Sequence, residues 1–327
     1  MVGVRTRPLG QSGISVSELS LGTWGLSGEA YGSIEPAERD AVIDRALELG
    51  ITTFETADSY GRGAIEKCLG ERLAGHPTAQ VVTKIGTFRP PPPEEATPDS
   101  PQGTYKRFDV PYLRESIAKS CERLRRSKID VVLLHNPSAT TMSRGEAAAA
   151  MKELKSAGAI GAWGVSAGDN YVARAAFAHG AEVVEIVYNI FFSRELHDLG
   201  SDITKANAGV LARSVLSHGI LAGLMPPSHT FADDDHRLFR WTRPEFETRI
   251  RQLDAVRPLV TETVLTMRAA ALRFVLANEM VSSAVIGPKN VAQLEQLVRE
   301  AGSEPPYLTS EALGQLANDL ARAGVVT

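Results

Sequence analysis

Phe54-Glu55-Thr56-Ala57-Asp58-Ser59-Tyr60-Gly61 follows a short apolar run beginning at Ile51 and leads into a helical pattern. Passage from apolar strand to polar turn to helix is half of a β/α unit, and α/β proteins meet their ligands where strands end. Two carboxylates and a phenol crowd the positions from Glu55 to Tyr60. Alone, such a cluster reads as a solvated loop. Two later strand ends give it weight: Lys84 closes Val81-Val82-Thr83-Lys84, and His135 closes the apolar run from Ile129.

On either side of this stretch the same unit recurs. Apolar alternation around a Gly-containing turn, Arg7 to Leu19, predicts a β-hairpin, and Leu19 to Thr23 a strand ending in Gly22-Thr23-Trp24-Gly25. Pro36 to Leu49 has helical spacing, with Pro36 suited to a first turn and Gly50 to a stop. Strands are expected at Ile51–Glu55, Gln80–Ile85, Ile129–His135, Ile160–Ser166, Val183–Asn189, Val210–Val215 and Ser282–Gly287. Helices are expected at 64–73, 110–126, 146–156, 171–179, Leu196–Ala206, Thr263–Ala277, 291–300 and 310–323. Near-continuous apolar strands alternating with helices imply a parallel sheet. Eight such units make a (β/α)8 TIM barrel, which takes roughly 250 residues. The N-terminal β-hairpin plug, long loops after strands 3 and 7 and a C-terminal extra helix account for the surplus in a single domain, 1–327. An open doubly wound sheet fits less well, since no GxGxxG follows the first strand.

Composition narrows the class of function. A hydrophobic fraction of 43%, a charged fraction of 23% and a net charge of -4 supply a core and give no reason to expect nucleic acid or an anionic membrane as partner. No apolar run approaches the ~20 residues that span a bilayer, and Met1 to Arg7 lacks a following apolar segment, which argues against a secretory signal. Cys68 and Cys121 lack CxxC spacing and read as buried, reduced thiols of a cytoplasmic protein. Two structureless insertions are expected. One, 87–109, carries Pro90 to Pro93, Pro98 and Pro101; the other, 225–257, carries Asp233-Asp234-Asp235, which reads as a solvated loop rather than a cation site.

On a barrel the ends of different strands converge on one pocket, so Glu55, Tyr60, Lys84 and His135 can meet. A lysine at the end of an apolar strand needs a paired carboxylate, Glu55 or Asp58. Its charge near a phenol lowers the phenol's pKa from ~10, which suits Tyr60 to general-acid work on a carbonyl oxygen. His135 can donate to the same oxygen.

These residues resemble a known family, the aldo-keto reductases, over essentially the whole chain. The stretch from Leu9 to Thr23 is similar to that family's plug hairpin and first strand, and Phe54 to Gly61 to its Phe-Asp-Thr-Ala-x-x-Tyr-Gly motif. Asp130 to His135 with Pro137 is similar to its fourth strand. Gly164-Val165-Ser166, Val187-Tyr188-Asn189 and the stretch from Ile286 to Leu294 are similar to its cofactor motifs. The resemblance implies reduction of an aldehyde or ketone by NADPH, with NADH the other candidate, in a cytoplasmic enzyme acting on a small carbonyl substrate. Tyr60 would give the proton, Lys84 would tune it, His135 would orient the substrate oxygen, and Glu55 would complete the catalytic set.

It further implies a cofactor surface. Gly22, Thr23 and Trp24 end the first strand; Ser166 would bond the carboxamide, with Glu185 beside it; Arg213 would stack on the nicotinamide ring. Ser214, Leu216 and Gly219 follow strand 7, and Ile286, Gly287, Lys289 and Gln293 follow strand 8. Lys289 would hold an adenosine 2′-phosphate, together with the helix beginning at Asn290. Departures fall on the same surface. Glu55 replaces the family's aspartate, Ala167 an asparagine, Glu185 a glutamine, and Gln296-Leu297 a Glu-Asn pair. Two further readings therefore stand behind the reductase. One is a redox-neutral epimerase- or dehydratase-like enzyme using Glu55 or Glu185 as base; the other is a cofactor-binding homologue without catalysis. Substrate choice is expected from Trp24, Tyr31, the 88–108 loop, Asn136 and the region from Phe231 to Trp241; oligomeric state has no signal.

Overall fold

The computed structural model describes residues 4–89, 104–302 and 304–326. In chain order the strands are β1 (Thr6–Pro8), β2 (Ser15–Ser17), β3 (Leu19–Gly22), β4 (Thr53–Glu55), β5 (Gln80–Ile85), β6 (Thr87–Phe88), β7 (Tyr105–Lys106), β8 (Ile129–His135), β9 (Ile160–Ser166), β10 (Val183–Val187), β11 (Gly209–Arg213) and β12 (Ser283–Ile286). The helices are α1 (Pro36–Glu48), α2 (Ala64–Arg72), α3 (Val110–Leu124), α4 (Ala139–Arg144), α5 (Glu146–Ser156), α6 (Asn170–Ala178), α7 (Arg194–Asp198), α8 (Gly200–Ala206), α9 (Arg243–Gln252), α10 (Met267–Ala277), α11 (Val291–Ala301) and α12 (Ser310–Arg322). β3, β4, β5, β8, β9, β10, β11 and β12 pair in parallel in that order, and β12 returns to β3 through Ala284↔Leu19, closing the barrel. The expected fold is the observed one.

Strand alternation sorts the side chains. Val82, Val131, Leu133, Ala162, Val183, Leu211 and Val285 fill the interior, while Val81, Val132, Leu134, Val165, Val184 and Val210 face outward in the larger core with the helices. Two residues beyond those interior positions the same inward face carries Lys84, His135, Glu185 and Arg213. The interior therefore turns from apolar to charged at the carboxyl-terminal mouth. Behind β5 the outward Thr83 hydroxyl donates to buried Glu66 at 2.6 Å, which also accepts from Arg123 at 2.7 Å. These bonds fix α2 and α3 to the strand that carries Lys84.

The opposite mouth is closed by β1 and β2, which pair antiparallel and send fully buried Leu9 and Val16 into the interior cluster. Gly10 makes the seat possible: its φ is +53°, and a Cβ there would lie 2.3 Å from the Gly209 nitrogen.

Several sequence expectations are corrected. Helix 196–206 is two, α7 and α8, joined at Leu199. The strand expected to reach Asn189 ends at Val187, because Asn189 turns its side chain to the Phe191 N–H and the Ser214 carbonyl. The expected helix from Thr263 begins at Met267, where the Thr266 hydroxyl caps it. The insertion after β11 is not structureless; it contains α9, begun by a Thr242/Glu245 capping box. The proline-rich positions Pro90 to Pro93, Pro98 and Pro101 lie outside the described residues. Cys68 is buried, but Cys121 is half-buried. Among the described residues no helix is long and apolar enough to cross a membrane.

Candidate active site

The strand ends surround a cleft of about 810 Å³. On its wall Lys84, 2% exposed, meets two carboxylates. Glu55, from the neighbouring β4, contacts the ammonium directly, and Glu185, from β10 across the barrel, stands 3.7 Å away. The extra methylene of Glu55 relative to aspartate is accommodated beside Gly22, its partner in the β3–β4 register. A Cβ at Gly22 would lie 3.2 Å from the Glu55 carboxylate and 2.7 Å from Val285. Asp58 does not join this pair. Its N–H donates to the Lys84 carbonyl, and its charged neighbours are Glu66, Arg123 and Lys106.

Tyr60 and His135 stand over the lysine. The ammonium is 5.0 Å from the centre of the phenol ring, and the imidazole packs edge-on against that ring at 6.2 Å and 87°. Burial pulls the Lys84 ammonium down to about 8, while Glu185 pulls it back. With carboxylates on both sides it stays charged at neutral pH. Burial, and then Glu185, pushes the Tyr60 phenol well above its ordinary value. This corrects the expectation that the lysine lowers it: desolvation outweighs the cation. Burial, and then Lys84, holds His135 far below its ordinary value, so it is a neutral imidazole with one N–H; its Nδ1 has no protein partner.

Of the residues expected to hold a cofactor, Gly22, Trp24, Ser166, Glu185, Arg213, Ser214, Leu216, Gly219, Ile286, Gly287, Lys289 and Gln293 line the cleft. Thr23 does not. It is fully buried, with its hydroxyl donating to the Glu55 carbonyl at 2.9 Å, so it braces β4 from behind. Arg213 reaches the Ala167 carbonyl at 3.3 Å, leaving Nε without a partner. After β11 the backbone turns left-handed at Ser214, Ser217, His218 and Gly219. Such turns are common where backbone clamps a ligand. The Lys289 ammonium is held by the Tyr31 carbonyl, and Asn290 caps α11.

The region from Phe231 to Trp241, expected to bear on substrate choice together with Trp24 and Tyr31, forms a strap across the cleft. The His236 N–H donates to the Ala30 carbonyl at 2.9 Å, and Tyr31 bridges to Asp235. The Trp24 and His236 rings meet tilted at 51°, 4.5 Å apart, and Arg237 lies over the rings of Tyr31 and Phe231 at 4.9 Å each. Asp235, read from sequence as part of a solvated loop, is buried and holds Arg237 in a two-pronged ion pair. His218, His236, Arg237 and Arg240 line the cleft, as does Arg268 near the start of α10. Their spacing carries no motif; the folded chain brings them together.

Comparison with known proteins is consistent along the chain. The family model described as the Aldo/keto reductase family matches residues 18–306. A pyridoxal 4-dehydrogenase of Microbacterium luteolum is 28% identical, covering 89% of this chain and 91% of its own. An NADH-specific methylglyoxal reductase of Escherichia coli is 26% identical, covering 97% and 98%. The solved glycerol dehydrogenase AKR11B4 of Gluconobacter oxydans superposes with a TM-score of 0.83 at 27% identity, covering 100% of this chain and 97% of its own.

Proposed function

Because the chain belongs to the aldo/keto reductase family, we propose that it reduces an aldehyde or ketone to an alcohol with a nicotinamide dinucleotide, NADPH ahead of NADH. One observation carries the reading: Tyr60, Lys84 and His135, from three different strand ends, border one cleft with their rings and ammonium in contact range. The cleft suits a dinucleotide. Among its lining residues, Glu185 Oε2 and Arg213 Nε are buried without partners.

When bound, a reduced nicotinamide held among Ser166, Glu185 and Arg213 would supply a hydride to the carbonyl carbon. Tyr60 gives its proton to the carbonyl oxygen. The raised pKa keeps the phenol protonated across neutral pH, and the nearby ammonium stabilises the phenolate left behind. His135 donates its N–H to the same oxygen, where negative charge develops. Glu55 anchors Lys84 beneath the phenol. Trp24 and the strap residues shield the site from water. Lys289 supports NADPH, since a phosphate is a stronger partner for its ammonium than the Tyr31 carbonyl it now holds. Arg268 contributes less to such a phosphate, being paired twice with Glu300.

Titration with NADPH and NADH, followed by fluorescence quenching, is the direct test; binding of neither would sink the reading. With a carbonyl panel, Tyr60→Phe is expected to lose roughly 10²–10⁴ in kcat while dinucleotide Kd holds.

A further inference from the structure

Lys84 needs one carboxylate, and the fold supplies two. Glu55 already contacts the ammonium. Glu185, 1% exposed, stands 3.7 Å from it, and its second oxygen has no hydrogen-bond partner and lies on the cleft wall. Two carboxylates flank the one ammonium. Arg213 is a second cation of the cleft, but its guanidinium turns to the Ala167 carbonyl, and among the described residues it makes no ion pair with Glu185 within 4 Å. Leaving a buried carboxylate oxygen unpaired is costly. A glutamine would fill the same volume without a charge, so folding alone gives no reason for the acid.

We propose that Glu185 discriminates between the two redox states of the dinucleotide: its carboxylate faces the positive charge of the oxidised nicotinamide ring, and the site holds the oxidised form more tightly than the neutral reduced form. This rests on the reading of the cleft as a nicotinamide site. The two forms differ at the ring by one hydride, hence by one positive charge, so an anion on the wall distinguishes them where a carboxamide does not. Ser166, beside Glu185 in the strand register, is neutral and contacts both forms alike. The attraction grows as the hydride departs toward the carbonyl carbon, so Glu185 also lowers the barrier to that departure.

Calorimetric titration of the full chain with NADP+, NADPH, NAD+ and NADH tests this without turnover. The wild type is expected to bind the oxidised member of each pair more tightly. Glu185→Gln is expected to raise the ratio of oxidised to reduced Kd about tenfold, equivalent to ~1.4 kcal/mol, and Glu185→Asp, which keeps the charge, to change it less. Tighter binding of the reduced form by the wild type overturns the proposal, whatever the variants do. An unchanged ratio in a folded Glu185→Gln protein overturns it too. Binding of no dinucleotide by the wild type overturns instead the nicotinamide reading beneath it.

Discussion

Position 55 has room for a glutamate beside Gly22. The carboxylate reaches Lys84 at the length the site presents, so Glu55→Asp withdraws it by about one methylene from the ammonium. Displacements of this order cost catalysis heavily. Turnover measured at saturating dinucleotide is expected to fall at least about tenfold, and a rise would mean that glutamate detunes the enzyme. Asp58 titrates in the opposite sense from a surface carboxylate. Burial, and then Glu66, pushes it up to about 8, against ~3.9 in an unfolded chain. The folded state keeps a proton that the unfolded state has lost, so stability declines as pH rises from ~4 toward about 8. Asp58→Asn removes that decline; the gain in Tm is expected to be larger near pH ~8 than near pH ~5, and equal gains would contradict the assignment.

At the scale of elements, the barrel divides into a half that holds and a half that acts. β1 and β2 seal the amino-terminal mouth, with Leu9 packed against Gly209 and the interior valines. Leu9→Ala leaves a cavity that little can fill and is expected to cost about 3 kcal/mol. Chemical denaturation would read that loss, while dinucleotide Kd stays unchanged because the plug lies at the far end from the cleft. A coupled loss of affinity would show that the two mouths are linked.

Over the whole molecule, the loops after β3 and β11 meet across the cleft and enclose it. His218 is held down to about 3 by burial and then by Arg240, and His236 is lowered by burial. Both imidazoles are therefore neutral at working pH and hold the strap by tilted and edge-on ring contacts rather than by charge. His236→Ala removes the ring contact with Trp24 and is expected to speed dinucleotide release about tenfold in a stopped-flow chase, with smaller change in association. An unaltered release rate would remove the strap from the exchange step.

The sequence by itself determined the repeating strand–helix pattern, the polar groups Glu55, Lys84, His135 and Ser166 at or next to strand ends, and the departures at Glu55 and Glu185, because alternation and turn residues are local properties of the chain. It also identified nearly all of the cleft's strand-end residues, since inward-facing positions follow from a period of two. Tertiary structure decided the rest. Thr23 sits behind the wall because β3 pairs with β4, Tyr60 keeps its proton because burial outweighs its cation, and Asp235 is buried where its loop meets the loop carrying Tyr31, about two hundred residues earlier in the chain. Desolvation and loop closure belong to the folded surface as a whole, and no spacing along the chain encodes them.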